Sequence, residues 1–205
     1  MIPVQGPNSS QVKFKHSICH NCNTTRSKPF DEAYDKFNTY IKENEEIIFA
    51  ERKFYFSNIF LQDWKTMRMN LIKYYIKHIC SRLVEANLEI KPDIIEYLNG
   101  ISILKSISFK LIIRGDIMFW INKMKANSGI GGYINMEPLK GKFLKKENAF
   151  DFLTGTLDYR AFTLKYFYSL NNQNQMTNFE NYMVTPDYYA NQEAIRFIEK
   201  NYKRN

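Results

Sequence analysis

The sequence changes texture at Gly100. Before it, apolar residues recur at helical spacing; after it, β-branched and aromatic residues alternate between turn-forming glycines. A 3.6-residue repeat cannot bury its stripe as a strand, and a two-residue repeat cannot bury its face as a helix. The two halves must therefore fold as helices and as sheet. The reading is an α+β chain: helices packed on a C-terminal antiparallel sheet, followed by a terminal helix.

Within the first half, Ser27 or Lys28 followed by Pro29 predicts a helix start. Pro loses no intrahelical bond in a first turn, and Asp31 and Glu32 suit the positive end of the helix dipole. Phe30, Ala33, Tyr34, Phe37 and Ile41 carry the stripe to about Asn44. A second helix, interrupted once, is predicted from about Ser57 to Glu85, and a short third one after Pro92, ending at Gly100. In the second half, "ISFKLIIRG" and "GTLDYRAFTLKYFYSL" each read as a strand, and "GIGGYINMEPLKGKF" has hairpin glycines. "TPDYY" reads as a turn before a helix capped by Asn191, with Glu193 to Lys200 as its body. Residues 1–13 read as an irregular lead-in and "VKFKHSI" as a short strand. The organisation expected is residues 1–44 and an α+β body over 45–205, joined as one unit.

The chain of 205 residues is long enough for one sizeable core. It contains no apolar run of membrane-spanning length and no apolar h-region at its start, so no membrane partner and a cytoplasmic location are expected. Its net charge of +8 is carried mostly by Lys, in a chain rich in Asn, Ile, Tyr and Phe. Two readings stay open: the compositional bias of an AT-rich genome, or a surface that displaces counterions from nucleic acid, DNA being favoured. Lys13, Lys15, Arg26 and Lys28 precede the first carboxylate, Asp31, and are the candidate phosphate contacts. They surround a pair of cysteines.

In a reducing compartment Cys19, Cys22 and Cys80 are expected as thiols, and C-x2-C then points to metal before disulfide. A structural zinc ion takes four thiolate or imidazole ligands, and this spacing supplies two. His16, three residues before Cys19, is placed to join them, with water in a fourth position; His20 is expected to point away. Of His78 and Cys80, two apart on a helix, one at most can face the turn. The other reading leaves Cys19 and Cys22 as free thiols stabilised by packing. A thioredoxin-like redox pair is disfavoured because the surrounding sequence does not continue as that fold.

The residues after the cysteines carry a more specific signal. "CHNCNTTRSKPFDEAYDKF" resembles the second half of the zinc-binding HNH (treble-clef) nuclease motif in bacterial and phage HNH-related proteins, with the pattern C-x2-C-N-x2-R-S-x-P-F-D-x-A-Y-D-x-F. The match runs through Cys19, Cys22, Asn23, Arg26, Ser27, Pro29, Phe30, Asp31, Ala33, Tyr34, Asp35 and Phe37, within residues 14–41. The resemblance implies a zinc knuckle closed by the following helix, and metal-assisted phosphodiester hydrolysis in the complete motif. That motif also has an earlier C-x2-C and an Asp-His, and residues 1–18 hold neither. The chain reads as an HNH-related protein that starts too late, through an internal start or through loss of its catalytic element. Endonuclease activity is expected only with an upstream half, and no catalytic residue is assigned.

Other constellations have ordinary explanations. Asp31 and Asp35 share a helix face, but the expectation is a dipole-complementing Asp31 and a solvated Asp35. Lysines from Lys123 to Lys146 flank "SGIGG" without the Lys-Ser/Thr of a P-loop, which fits a hairpin with a basic edge. Tyr159, Phe162, Tyr166, Phe167 and Tyr168 are expected as core and cross-strand pairs rather than as a stacking platform for bases. Two functions remain: a nucleic-acid-binding relative of HNH endonucleases, or a structural module that presents aromatic surface to a protein partner beside a vestigial cysteine turn.

Overall fold

The computed structural model describes residues 19–118, 134–136, 140–144, 149–169, 183–184 and 186–189, with positions 192, 196 and 200. Over these residues the protein is α+β, with a helical layer against one face of a sheet.

Helix α1 (Lys28–Glu51) begins as predicted, with Pro29 in its first turn and Asp31 near its N-terminus. It continues past the expected end at Asn44. Most of the polar run there is its solvated side, but Glu45 is buried and carries the stripe of Ala33, Phe37 and Ile41 on to Ile48 and Phe49. Arg52 ends it in the left-handed region at φ 59°, its N–H bonded to the Ile48 carbonyl. The second helical segment is broken once: α2 (Phe56–Phe60) and α3 (Trp64–Glu85) are separated by a 3₁₀ turn, with Leu61 at φ 54°. Helix α4 (Pro92–Leu98) closes where glycine was expected to close it. Gly100, at φ 78°, donates to the Tyr97 carbonyl at 2.9 Å and Ile101 donates to the Glu96 carbonyl at 2.9 Å, a Schellman ending.

Short strands β1 (Phe54–Tyr55) and β7 (Met183–Val184) form a two-stranded pair. The main sheet runs β3 (Ile134–Met136), β5 (Ala149–Tyr159), β6 (Phe162–Ser169), β2 (Ile107–Arg114), β8 (Asp187–Tyr189), with β4 (Lys140–Leu144) also on β5. Three details correct the sequence reading. "GTLDYRAFTLKYFYSL" is two strands joined at Arg160–Ala161, not one. β3 and β4 each pair with β5 rather than with each other, because β5 is long enough to take them end to end. Finally, "DYY" is a strand, β8, parallel to β2, so the sheet is antiparallel except at this edge. Gln192, Arg196 and Lys200 are helical and exposed, in keeping with a terminal helix. The lead-in, "VKFKHSI" and the "SGIGG" loop lie outside the described residues.

The sheet meets the helices through Ile107, Phe109, Leu111 and Ile113 of β2, opposite Tyr168, Tyr166, Leu164 and Phe162 of β6. These alternate residues share one face, and Phe109 touches Tyr75 of α3. Of the five sequence-flagged aromatics, Phe162, Tyr166 and Tyr168 are buried, Tyr159 packs against the core, and Phe167 stacks on Phe152 at 4.9 Å. They serve packing, as expected. A buried ion pair joins the layers: Arg160 donates to Glu45 Oε2 from Nε at 2.9 Å and from Nη2 at 2.5 Å. Among the described residues no helix is long and apolar enough to cross a membrane.

Candidate functional site

The cysteine turn sits where α1, α3 and α4 come together. Cys22–Arg26 form a wide π-helical turn that hands over to α1 through Ser27. Ser27 is buried, and its hydroxyl donates to the Asn23 carbonyl at 2.7 Å. Lys77 of α3 donates to Ser27 Oγ at 3.1 Å and to Asp31 Oδ1 at 2.6 Å. This three-residue knot pins the turn to α3 across fifty positions of sequence. Asp31 thus has a partner beyond the helix dipole, while Asp35 is exposed as expected.

Cys19 and Cys22 lie together. The Cys22 N–H donates to Cys19 Sγ at 3.1 Å, the donor geometry by which such turns stabilise a thiolate. Hydrogen bonds from the Cys22 thiol and N–H hold the Cys19 thiol below its ordinary range, with a smaller contribution from Arg26. Cys22, acting as the donor to Cys19 and partly buried, is raised. Among the described residues no three His, Cys, Asp or Glu side chains are arranged to hold a metal. The turn supplies two thiol donors for zinc, and His16 lies outside the described residues. His20 is exposed. His78 packs against the Tyr74 ring at 4.7 Å, and burial together with Lys77 lowers it to about 4. Cys80 is the one of the two that faces the turn, and burial pushes its thiol up to about 12, so it stays protonated.

Of the candidate phosphate contacts, Arg26 and Lys28 are exposed, while Lys13 and Lys15 lie outside the described residues. Arg26 donates to Asn99 Oδ1 at the end of α4. Lys73 comes to the same place from α3. Its ammonium lies 5.6 Å from the Phe30 ring and beside Gly100. Burial, then the Arg26 charge, lowers the Lys73 pKa, a sign of two cations held close together. The C-terminal carbonyls of α4 favour cations there, but among the described residues neither Arg26 nor Lys73 has a carboxylate within ion-pair distance.

Lys73 and Lys77 are the site residues that the sequence reading passed over. Their signal was present: from Trp64 to Val84 the chain has Lys65, Arg68, Lys73, Lys77 and Arg82 and no Asp or Glu. An acid-free helical run of this length beside a basic turn marks a surface that does not neutralise itself.

A cavity of about 280 Å³ opens beside the turn, between α3 and α4. Cys19, Cys22 and Cys80, the three cysteines of the chain, all line it. No protein-family model, no curated protein and no solved structure matches this chain.

Proposed function

We propose that the protein is a nucleic-acid-binding relative of the HNH endonucleases, one that uses the cysteine turn and the flanking face of α3 to hold a phosphate backbone. The carrying observation is the pair of cations Arg26 and Lys73 beside the turn, with Lys28 exposed at the start of α1, where the nearby carboxylate Asp31 is taken up by Lys77. Phosphates bring the charge that such a cluster lacks, and they release counterions on binding. The resemblance of "CHNCNTTRSKPFDEAYDKF" to the second half of an HNH motif supports the same reading. Zinc belongs to it: Cys19 and Cys22 would supply two donors, and His16 is the candidate third. A bound zinc would fix the turn and hold Arg26 and Lys28 in place on the surface. Hydrolysis is not part of the proposal for this chain, since the Asp-His of the complete motif is not found in residues 1–18.

Fluorescence anisotropy with labelled duplex and single-stranded oligonucleotides at low ionic strength tests the reading. Binding is expected, and Arg26→Glu combined with Lys73→Glu should weaken it by about a hundredfold, as removal and reversal of several phosphate contacts would. Absence of binding at low salt would overturn the proposal.

A second reading, a protein-interaction module, has one observation in its favour. Ile101 and Ile103, just after α4, are 74% and 76% exposed. Purification with a stoichiometric protein partner and no nucleic acid would favour it.

A further inference from the structure

The cavity beside the cysteine turn has a one-sided chemistry. Its walls are apolar: Phe30 from α1, Val84 from α3, Ile90, and Ile95 and Leu98 from α4. None of these five is fully buried, and Val84 and Ile95 remain 39% and 46% exposed. Helices that pack only against one another would close over such side chains. Here they line an opening whose contents would take their surface out of water.

The polar lining is cationic. Arg26 and Lys77 line the cavity with Ser27 and Asn99, and among the described residues no Asp or Glu does. Lys77 is already engaged by Asp31 and Ser27. Arg26 is different: it donates to Asn99 and is within hydrogen-bond reach of the Cys22 sulfur, and a guanidinium has five N–H groups to give. It is exposed at the thiol end of the cavity, so its remaining donors are open to a ligand. A neutral guest would gain nothing from that charge, and a cationic guest would be repelled by it.

We propose that this cavity is a binding site for a small amphipathic organic anion, a monocarboxylate whose apolar body lies among Phe30, Val84, Ile95 and Leu98 and whose carboxylate meets Arg26. Size fits the class. An apolar cavity of about 150 Å³ accepts benzene. This one, at about 280 Å³, has room for a body of roughly eight carbons. Guanidinium and carboxylate match as a two-pronged pair, which sets orientation as well as affinity. The site shares Arg26 with the nucleic-acid reading but does not rest on it, because the ligand is a monoanion recognised mostly by apolar contact, and octanoate uptake is read without any nucleic acid.

Calorimetric titration of the full chain with octanoate, octanol and octylammonium separates the contributions. Octanoate should bind about tenfold more tightly than octanol, the size of one charge-assisted hydrogen-bonded pair, and octylammonium should bind weakest. Arg26→Gln should bring octanoate and octanol to within about twofold of each other. Val84→Glu places a carboxylate on an exposed helical position at the rim, and it should reverse the order of octanoate and octylammonium. Ile95→Trp, also at an exposed position, should weaken all three by filling the cavity. Circular dichroism melting of each variant distinguishes lost binding from lost fold. No uptake of any probe by the folded wild-type protein overturns the proposal. So does equal affinity for octanoate and octanol, or an affinity order that Val84→Glu leaves unchanged in a folded variant.

Discussion

Single side chains set the conditions under which this fold is stable. His78 is largely buried beside Tyr74, and its pKa in the folded protein is lowered to about 4 by burial first and by Lys77 second. An unfolded chain takes up that proton near pH 6.5, so below this value the unfolded state binds more protons than the folded one. The stabilisation is complete above about pH 6.5 and is lost as pH falls toward 4, a change of about 3 kcal/mol. His78→Gln should flatten this part of a stability profile measured by urea unfolding between pH 7 and 4. A slope equal to the wild type's would show that another group carries it. Glu45 makes a second test. It is 4% exposed and takes two hydrogen bonds from Arg160, whose side chain is 7% exposed. Glu45→Ala leaves a buried guanidinium without its carboxylate and should cost about 3–5 kcal/mol in chemical denaturation. The residue scale is also where the sequence was least readable. Glu45 falls in the charged run "KENEE", just past the predicted helix end at Asn44; its place on the stripe, four residues after Ile41, shows only once the helix is known to continue.

Elements were readable where backbone chemistry and apolar period agreed. Pro29, Pro92 and Gly100 mark ends because proline and glycine restrict or permit the dihedrals an end requires. The β5–β6 hairpin was hidden for the opposite reason. Its connection is Arg160–Ala161, without glycine or asparagine, and Arg160 takes φ 53° while the Glu45 ion pair holds its side chain. A long-range contact there replaces the turn chemistry that normally marks a hairpin, and no local window contains it. β8 was missed likewise, since its pairing with Ile112 to Arg114 is parallel and far off in sequence. Within the hairpin, Gly155 faces Tyr166 across the strands, and a methyl group at Gly155 would lie 2.3 Å from the tyrosine hydroxyl. Tyr166 is fully buried and cannot swing clear. Gly155→Ala should therefore destabilise the protein by about 1–3 kcal/mol, read as a lowered denaturation midpoint with unchanged m-value. A neutral Gly155→Ala would mean that the sheet relaxes at this point.

Over the whole molecule, three elements separated in sequence supply one surface: the turn before α1, the middle of α3 and the end of α4. Half of the candidate site was visible in advance. Cys19, Cys22, Arg26 and Lys28 share one motif, whereas Lys73, Lys77, Cys80 and Asn99 reach it only through packing of α3 and α4. The cation cluster makes a definite claim about mechanism, because affinity that comes from counterion release must fall with salt in proportion to the phosphates contacted. The most direct measurement is the dissociation constant for duplex DNA as a function of salt concentration, for the wild type and for Arg26→Gln, Lys28→Gln, Lys73→Gln combined. The wild type should bind at low salt, with a log–log slope about 2–3 steeper than that of the triple variant, roughly one per phosphate contact removed. Equal slopes for the two proteins, or no binding by the wild type at low salt, would contradict a phosphate-binding role for this face.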